Sequence, residues 1–385
     1  MSTVRDQGSG VRVGARQRAD AGGAVASRAA AAPAGARRIG GLDVARGLAV
    51  LGMFGAHLGD TGELGWDPAT WPALVDGRSS ILFATLAGVS LALLSGGGTP
   101  LDGRELGRAR TRVLVRAAWV FAIGGVLELL GTSVAVILGV YAALFVLALP
   151  LLRWPPRRLL LAAGAVVLAG PPLAVAVGRY ATGRGEEGSA LASLLFTGSY
   201  PAAVWLAFVL VGLTLGRADL AAARTRAGLV AAGAAAAALG YLGGWWSTRE
   251  LTPGEPAEGI EAGFGASGGW DPAWFAGAEP HSSTPFEAVG SGGVAVAVIG
   301  VCLVLADLLP RLTSPLAAVG ALALSVYTAH IVAISVVDAE VGTDWDMWVR
   351  FTVTALLLAT AWRLRIGRGP LEALLTWSSR RAAGP

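Results

Sequence analysis

Long apolar segments recur along the chain from residue 40 to residue 364, and short polar stretches separate them. A helix of about 20 apolar residues is long enough to cross the roughly 30 Å hydrocarbon core of a bilayer. The pattern therefore predicts an all-α, polytopic integral membrane protein with about 10 transmembrane helices in one bundle. The predicted spans are residues 40–59, 79–96, 113–131, 133–152, 158–178, 200–217, 226–246, 288–309, 315–337 and 347–364.

Composition agrees with this class. Hydrophobic residues make up 54% of the 385 residues and charged residues only 15%, whereas soluble proteins carry about 25% charged residues. The mean hydropathy is +0.61. Cys302 is the single cysteine, which excludes an intramolecular disulfide and any cysteine-based zinc cluster.

Arginines and acidic residues occupy alternate loops between the predicted spans. By the positive-inside rule, this predicts a multi-pass protein of the inner (plasma) membrane with both termini in the cytoplasm. The net charge of +4 thus reflects topology, and no nucleic-acid partner is expected. The inner loops carry the arginines of residues 104–112, 153–158, 217–226, 311 and 363–381. The outer loops carry Asp60, Glu63, Asp67, Asp76, Glu186, Glu187, the acidic residues of 247–287, Asp338, Glu340, Asp344 and Asp346.

Three regions follow from these patterns. Residues 1–38 are rich in Arg, Ala and Gly without apolar periodicity, so they predict a disordered cytoplasmic tail. Residues 39–376 form the predicted transmembrane domain, which includes a long extracytoplasmic loop at 247–287. Residues 377–385 are expected to form a short cytoplasmic tail. Nothing in the sequence indicates an oligomeric state.

The first predicted span, "GGLDVARGLAVLGMFGAHLG", contains Asp43, Arg46 and His57. A charged side chain at a helix centre costs about 2.5 to 3.5 kcal/mol on insertion, so these groups require partners or a function. Asp43 and Arg46 are three residues apart and can pair on one helix face. Arg46 and His57 lie on the same stripe, about 16 Å apart along the axis. We expect this stripe to face the bundle.

The chemistry of the stripe suits transfer of an acyl group. A guanidinium grips phosphate through paired hydrogen bonds, and an imidazole accepts a proton near neutral pH. Arg46, aided by Asp43, would hold an acyl-coenzyme A at the inner side while its thioester reached His57 as the base. The alternative is structural: Asp43 and Arg46 form an ion pair near the interface, and His57 caps a helix end.

Polar residues on the second and third spans are further candidates. Arg78 and Ser79 open the second span near the depth of His57 and could contact an acceptor or an oxyanion; alternatively, Arg78 reaches the interface and pairs with Asp76. Glu128, near the outer end of the third span, could orient His57 or simply meet solvent.

Two other histidines complete the candidates. Tyr327 and His330 share one face of the ninth span, where His330 is either a second acid or base or a core histidine bonded to a carbonyl. His281, in the long outer loop, is expected to be solvent-exposed more often than catalytic. If these groups form one site, His57, Arg78 and His330 should line a cavity that continues inward to Arg46. The three histidines show no metal-ligand spacing, so no metal is expected.

Several motifs resemble known families of membrane acyltransferases. The spacing from Arg46 to His57 is similar to the Arg-to-His signature of a large family of bacterial membrane acyltransferases. "LDVARG" resembles the first-helix motif of the heparan-alpha-glucosaminide N-acetyltransferase catalytic domain and of an allied bacterial family of unknown function. Further similar stretches are "GRSSILFATLAGVSLAL" at 77–93, "YPAAVWLAFVLVGLTLGR" at 200–217, "HSSTPFE" at 281–287, "LSVYTAH" at 324–330 and "GPLEALL" at 369–375.

The resemblance implies an acetyl-coenzyme A-dependent transferase acting on a glycan or glycolipid at the outer side of the bilayer. In the heparan enzyme the reactive histidine lies in the loop before the second helix, whereas "WDPATWPALVDGRSS" contains no histidine here. Either His57 takes this role or this branch has another activity. Two alternatives stand beside the enzyme: a transporter or lipid-handling protein that uses the stripe as a substrate path, and a structural membrane partner without turnover.

Overall fold

The computed structural model describes residues 39–59, 61–62, 65–185, 189–253, 259–337 and 345–384. Within the described residues the chain is helical and contains no strand, which confirms the all-α class. Residues Gly40–Pro385 form one compact unit. The tail predicted at 1–38 lies outside the described residues. So do the predicted outer-loop residues Asp60, Glu63, Glu186, Glu187, Asp338, Glu340 and Asp344.

Thirteen α-helices run through the described residues. Short 3-10 turns at Pro68–Leu74, Ile260–Gly263 and Pro272–Phe275 lie in the connections. The α-helices are α1 (Gly40–Leu58), α2 (Arg78–Leu94), α3 (Gly103–Glu128), α4 (Leu138–Ala148), α5 (Pro156–Gly183), α6 (Ala190–Ala192), α7 (Ala202–Leu215), α8 (Ala223–Leu251), α9 (Pro285–Leu308), α10 (Pro310–Ala321), α11 (Ala323–Val337), α12 (Trp345–Arg365) and α13 (Pro370–Ala383).

Three of these helices, α5, α8 and α9, are long and apolar enough to cross a membrane by themselves. Two bent pairs raise the number of candidate spans to five: Ala190–Thr197 with α7, and α10 with α11. The chain is thus a helical membrane protein with three to five candidate spans among the described residues. The count of about 10 spans, made from apolar segment length, stays a prediction.

Three predicted spans differ clearly from the helices observed. The fourth, predicted at 133–152, is helical as α4 only over Leu138–Ala148. The third span was placed at 113–131, but α3 begins at Gly103, where the Asp102 side chain accepts a hydrogen bond from the Gly103 N–H and caps the helix. Its arginine-rich first turns are helical although they are too polar for a hydrophobic window. The ninth span, predicted as one helix over 315–337, is two helices that meet at Leu322 with a bend of 73°.

Helix α1 lies at the centre of the bundle, where it packs against α2, α9, α10, α11 and α12. Glycines allow the closest of these approaches. A Cβ atom on Gly47 would lie 2.0 Å from the Leu316 carbonyl oxygen, and one on Gly320 would lie 1.8 Å from the Asp43 carbonyl oxygen. Only glycine therefore fits at the crossing of α1 and α10, which holds the polar stripe of α1 against a neighbouring helix.

The bend between α10 and α11 exposes helix-terminal N–H groups, and α13 supplies their acceptor. Glu372 accepts hydrogen bonds from the backbone N–H groups of Leu324 and Ser325 at 2.8 and 3.1 Å and from the Ser325 hydroxyl at 2.6 Å. A carboxylate at a helix N-terminus satisfies unpaired donors and interacts favourably with the helix dipole. Glu372 thereby fixes the start of α11, the helix that carries Tyr327 and His330.

Candidate functional site

The expected ion pair on α1 is present. Arg46 Nη1 donates to Asp43 Oδ1 at 2.8 Å, and Asp43 is buried. The guanidinium also donates to the Gly320 carbonyl oxygen at 3.4 Å and, through Nη2, to Ser90 Oγ at 3.2 Å. The hydrogen bonds of Arg46 therefore connect α1 to α10 and α2 and use much of the donor capacity of its guanidinium. The Asp43–Arg46 pair predicted from their spacing is confirmed.

Near the other end of α1, a cavity of about 170 Å³ brings together residues from distant parts of the chain. His57 lines it from α1, and Ser79 and Ser80 line it from the first turn of α2. The remaining polar walls come from Asp76, Ser133, Tyr200, His281 and Tyr327. Two histidines, a carboxylate and several hydroxyls thus share one small volume, and this is the candidate functional site.

A chain of hydrogen bonds fixes the tautomer of His57. His330 Nδ1 lies 2.5 Å from the Tyr327 carbonyl oxygen, and because a carbonyl only accepts, His330 must carry its proton on Nδ1. Its Nε2 is then an acceptor, and His57 Nδ1, which is 3.0 Å away, must be the donor. His57 is thereby left with a lone pair on Nε2, the atom available to a substrate in the cavity.

The segment "HSSTPFE" builds the opposite wall. Thr284 Oγ1 accepts a hydrogen bond from the Glu287 N–H at 3.1 Å and caps α9. The Glu287 carboxylate in turn accepts from the N–H groups of His281 at 2.7 Å and Ser283 at 2.6 Å. His281 and Ser283 both have positive φ angles, of 63° and 53°, which are unfavourable for residues with a side chain. The buried carboxylate holds this strained backbone, and the strain turns His281 toward the cavity.

His281 forms a second pair with Asp76. Its Nε2 lies 3.2 Å from Asp76 Oδ1, so the imidazole donates to the carboxylate. Burial opposes the charged imidazole, but the hydrogen bond and charge of Asp76, with the charges of Glu287 and Glu261, outweigh it. Together they raise the pKa of His281 above its ordinary value of 6.5. His281 is thus poised to be a cation, whereas His57 presents a lone pair.

From the sequence, His57, Arg78 and His330 were expected to line one cavity that continues inward to Arg46. This expectation is only partly correct. His57 lines the cavity, but the cavity walls within the described residues do not include Arg78, His330 or Arg46. Arg78 instead donates from Nε to the Tyr241 hydroxyl at 2.7 Å. Asp76, its expected partner, bonds to His281. His330 lies behind His57, so its contact with the site runs through the His57 ring.

Of the other candidate residues, some line the cavity and one does not. Ser79 and Tyr327 line the cavity as proposed, and the Tyr327 and His330 rings lie 5.0 Å apart on one face of α11. Glu128 is exposed at the end of α3, and within the described chain the ring partner of His57 is His330. The expectation that His281 is merely solvent-exposed is wrong, since it is half-buried in the cavity wall.

Asp76, Tyr200 and Glu287 are the site residues that sequence reasoning did not select. Asp76 was assigned to an outer loop and considered only as a partner of Arg78, and Tyr200 and Glu287 were quoted only within similar stretches. The "SSTPFE" pattern, a Thr followed three residues later by a Glu, is a capping box and could have indicated a structured loop around His281. The pairing of His281 with Asp76 joins positions 205 residues apart, which no local spacing reveals.

Two further cavities adjoin the site and share Ala135 and Tyr200 with it. One, of about 400 Å³, is polar and is lined in part by Glu261, Glu279 and His281. The other, of about 600 Å³, is mainly apolar, and its walls include Phe121, Leu191 and Leu194. The described ranges contain no group of three His, Cys, Asp or Glu side chains that could hold a metal ion.

Comparison with known families places this geometry in context. Residues 38–246 match the family model for heparan-alpha-glucosaminide N-acetyltransferase, catalytic. The match covers more than half of the chain, so the chain belongs to this family. No curated protein sequence matches the chain. The matched range contains His57, Asp76 and Tyr200, whereas His281 and the Tyr327–His330 pair lie beyond it.

Proposed function

We propose that this protein transfers an acyl group, foremost acetyl, from acyl-coenzyme A to a hydroxyl or amine of a sugar-containing or lipid-linked acceptor at the outer side of the membrane. The family assignment supports the reaction class. The observation that carries the proposal is that His57, with its lone pair on Nε2, shares one cavity with the His281–Asp76 pair. A base and a cationic acid in one site are what acyl transfer requires.

In the first step His57 Nε2 takes the proton of the acceptor hydroxyl or amine as that atom attacks the thioester carbonyl carbon. A carbon–oxygen or carbon–nitrogen bond forms, and the carbonyl electron pair moves to the oxygen. The His281 imidazolium and the Ser79 hydroxyl line the same cavity and would stabilise this oxyanion. Such stabilisation is usually the largest single contribution to acyl-transfer catalysis.

In the second step the oxyanion reforms the carbonyl and the carbon–sulfur bond breaks. The thiolate leaves with the electron pair, and the proton held by His57 moves to the sulfur. The net change is an acylated acceptor and a free thiol, and no oxidant or reductant is consumed. A two-step route, in which His57 Nε2 first carries the acyl group, uses the same nitrogen and the same leaving group.

The adjoining cavities favour an amphiphilic acceptor. The polar cavity, with Glu261 and Glu279, suits the hydroxyls or the amine of a sugar, because carboxylates accept their hydrogen bonds. The apolar cavity, with Leu191 and Leu194, suits a hydrocarbon chain. Tyr200 lines both and also the central cavity, so an acceptor spanning the two would present its polar group beside His57 and His281.

The test is a transfer assay with the full chain in lipid nanodiscs. Acetyl-coenzyme A with a labelled acetyl group is mixed with amino sugars and with glycolipids extracted from membranes, and the products are read by mass spectrometry. We expect an acetyl mass on an acceptor with the wild type and none with His57→Ala. Leu160→Ala, an exposed site on α5, serves as the matched control and should retain activity.

Two outcomes would overturn the proposal. In the first, labelled acceptor appears at equal rates with the wild type and with His57→Ala. In the second, protein in sealed vesicles moves an unmodified substrate across the bilayer without forming an acetyl bond, which would identify a transporter.

A further inference from the structure

Arginines of α3 form a stripe remote from the cavity. Arg104, Arg108, Arg112 and Arg116 are each four residues apart, so they follow one face of the helix. The Nε atoms of Arg112 and Arg116 are buried, and neither has a hydrogen-bond partner among the described residues. Buried polar donors are almost always satisfied in proteins. Two neighbouring guanidiniums with unsatisfied donors are therefore an unusual feature.

The C-terminal helix α13 adds more positive charge at the same place. It packs against α3, and Arg380 lies near enough to Arg116 for their charges to repel, as do those of Arg112 and Arg116. Arg380 also lines a cavity of about 560 Å³, whose other walls include Arg368, Thr376, Trp377 and Arg381. Arg380 thus lies between the arginines of α3, whose charges it repels, and an open volume that it helps to line. Their repulsion is relieved by a ligand that brings negative charge.

We propose that Arg112 and Arg116 of α3, with Arg380 of α13, form a binding site for a phosphate group. Guanidinium forks bind phosphate oxygens in pairs. Phosphate would supply the negative charge that the cluster lacks and acceptors for the Nε atoms of Arg112 and Arg116. Arg46 is less suited to this task, because it already donates to Asp43, Ser90 and Gly320.

The phosphate can belong to either of two molecules. One is the nucleotide end of acyl-coenzyme A, and this version rests on the proposed acyl transfer. The other is the headgroup of an anionic phospholipid, which requires no enzymatic activity. Both present phosphate oxygens to the same guanidiniums, so the binding measurements below are designed to separate them.

The first measurement uses the full chain in nanodiscs of phosphatidylcholine alone. Adenosine 3′,5′-bisphosphate and coenzyme A are titrated against the wild type, Arg116→Gln and Arg380→Gln. We expect each variant to bind both probes about tenfold more weakly or worse, the loss typical of one hydrogen-bonded charge. Arg157→Gln, at an exposed position near the start of α5, is the matched control and should bind as the wild type does.

The second measurement concerns lipid. Protein purified from nanodiscs that contain phosphatidylglycerol is analysed by native mass spectrometry for retained lipid. If Arg116→Gln and Arg380→Gln lose the bound phosphatidylglycerol but keep nucleotide binding, the phosphate is that of a lipid.

The proposal is wrong if both variants match the wild type in nucleotide binding and in retained lipid. Arg380 is exposed, so replacing it leaves the helix packing intact and the result interpretable. Neither readout requires turnover. Failure of the phosphate-site proposal is therefore distinct from failure of the acyl-transfer proposal.

Discussion

Two histidines face the same cavity but are built in opposite ways. His57 lies within a regular helix, and its partner, His330, is another neutral ring held by a backbone carbonyl. His281 lies in a loop with a strained backbone, and its partner is the carboxylate of Asp76. A neutral partner leaves His57 with a free lone pair, whereas a carboxylate favours the protonated form of His281. In the mechanism that we propose, the partner of each ring, more than the imidazole itself, decides which ring acts as the base and which as the acid.

The largest effect is expected from removing the base. His57→Ala should lower the acyl-transfer rate roughly 10² to 10⁴-fold, the usual contribution of general acid–base catalysis. The rate is measured with labelled acetyl-coenzyme A, and circular dichroism and membrane insertion are checked to ensure that the variant folds. An equal loss in His281→Ala with full activity in His57→Ala would reverse the roles assigned to the two rings.

The role of His281 as the acid is tested by measuring how the activity of the Asp76→Asn variant depends on pH. Because the pKa of His281 is raised above 6.5, its imidazolium is the major form at and below that pH and is lost as pH rises through the raised value. Activity that needs the cation, and the stability contributed by the pair, should therefore fall on the alkaline side.

Removing the charge of Asp76 should move that fall to lower pH and reduce the rate at neutral pH about tenfold or more. The measurement is kcat/KM as a function of pH for both proteins. If kcat/KM fell at the same alkaline pH in the variant as in the wild type, the fall would not come from deprotonation of His281.

The loop itself is tested by Glu287→Gln. The two oxygens of the buried carboxylate accept one hydrogen bond each from the N–H groups of His281 and Ser283. A glutamine keeps one accepting oxygen, but its NH₂ group cannot accept the other bond. The variant should lose about 1 to 3 kcal/mol of stability, the cost of an unsatisfied buried donor. Thermal unfolding in detergent measures this, and Glu250→Gln, at an exposed position near the end of α8, is the control. A variant as stable as the wild type would mean that the backbone needs no such anchor.

The smallest effect is expected from replacing His330, which lies behind the His57 ring. His330→Leu removes the acceptor of the His57 Nδ1–H and should lower kcat about three- to tenfold with little change in KM, since one neutral hydrogen bond is lost. His330→Gln retains an acceptor and should recover part of that loss. If both variants lower kcat equally, His330 acts through packing alone and the two histidine networks are less different than we infer.

Helix positions were predictable where burial alone decides them. The spans predicted at 40–59, 79–96 and 288–309 lie within a few residues of α1, α2 and α9. The start of α3 could not be found in this way, because a charged helix turn outside the apolar window leaves no hydropathy signal. The bend at Leu322 was also missed. The N–H groups at the start of α11 are satisfied by Glu372 on a distant helix, and the local sequence does not reveal this contact.

The same division holds for the site. The Asp43–Arg46 pair and the shared face of Tyr327 and His330 follow from helical periodicity, so their spacing predicted them. The contact of His57 with His330 joins two helices far apart in the chain. The pairing of His281 with Asp76 depends in addition on a positive φ angle that only the anchored loop can hold. These contacts result from tertiary packing, for which one sequence contains no direct signal.

The hydrogen bond between His57 and His330 also limits the number of protons that the two rings can hold. Two nitrogens 3.0 Å apart need one donor and one acceptor, so the two rings together can store a single proton beyond their neutral state. A second would place two N–H groups head to head. If the protein transfers acyl groups as we propose, His57 has to release each proton before the next acceptor arrives, and the departing thiol would carry that proton away. A leaving group too weakly basic to take the proton should then stall the protein after one turnover.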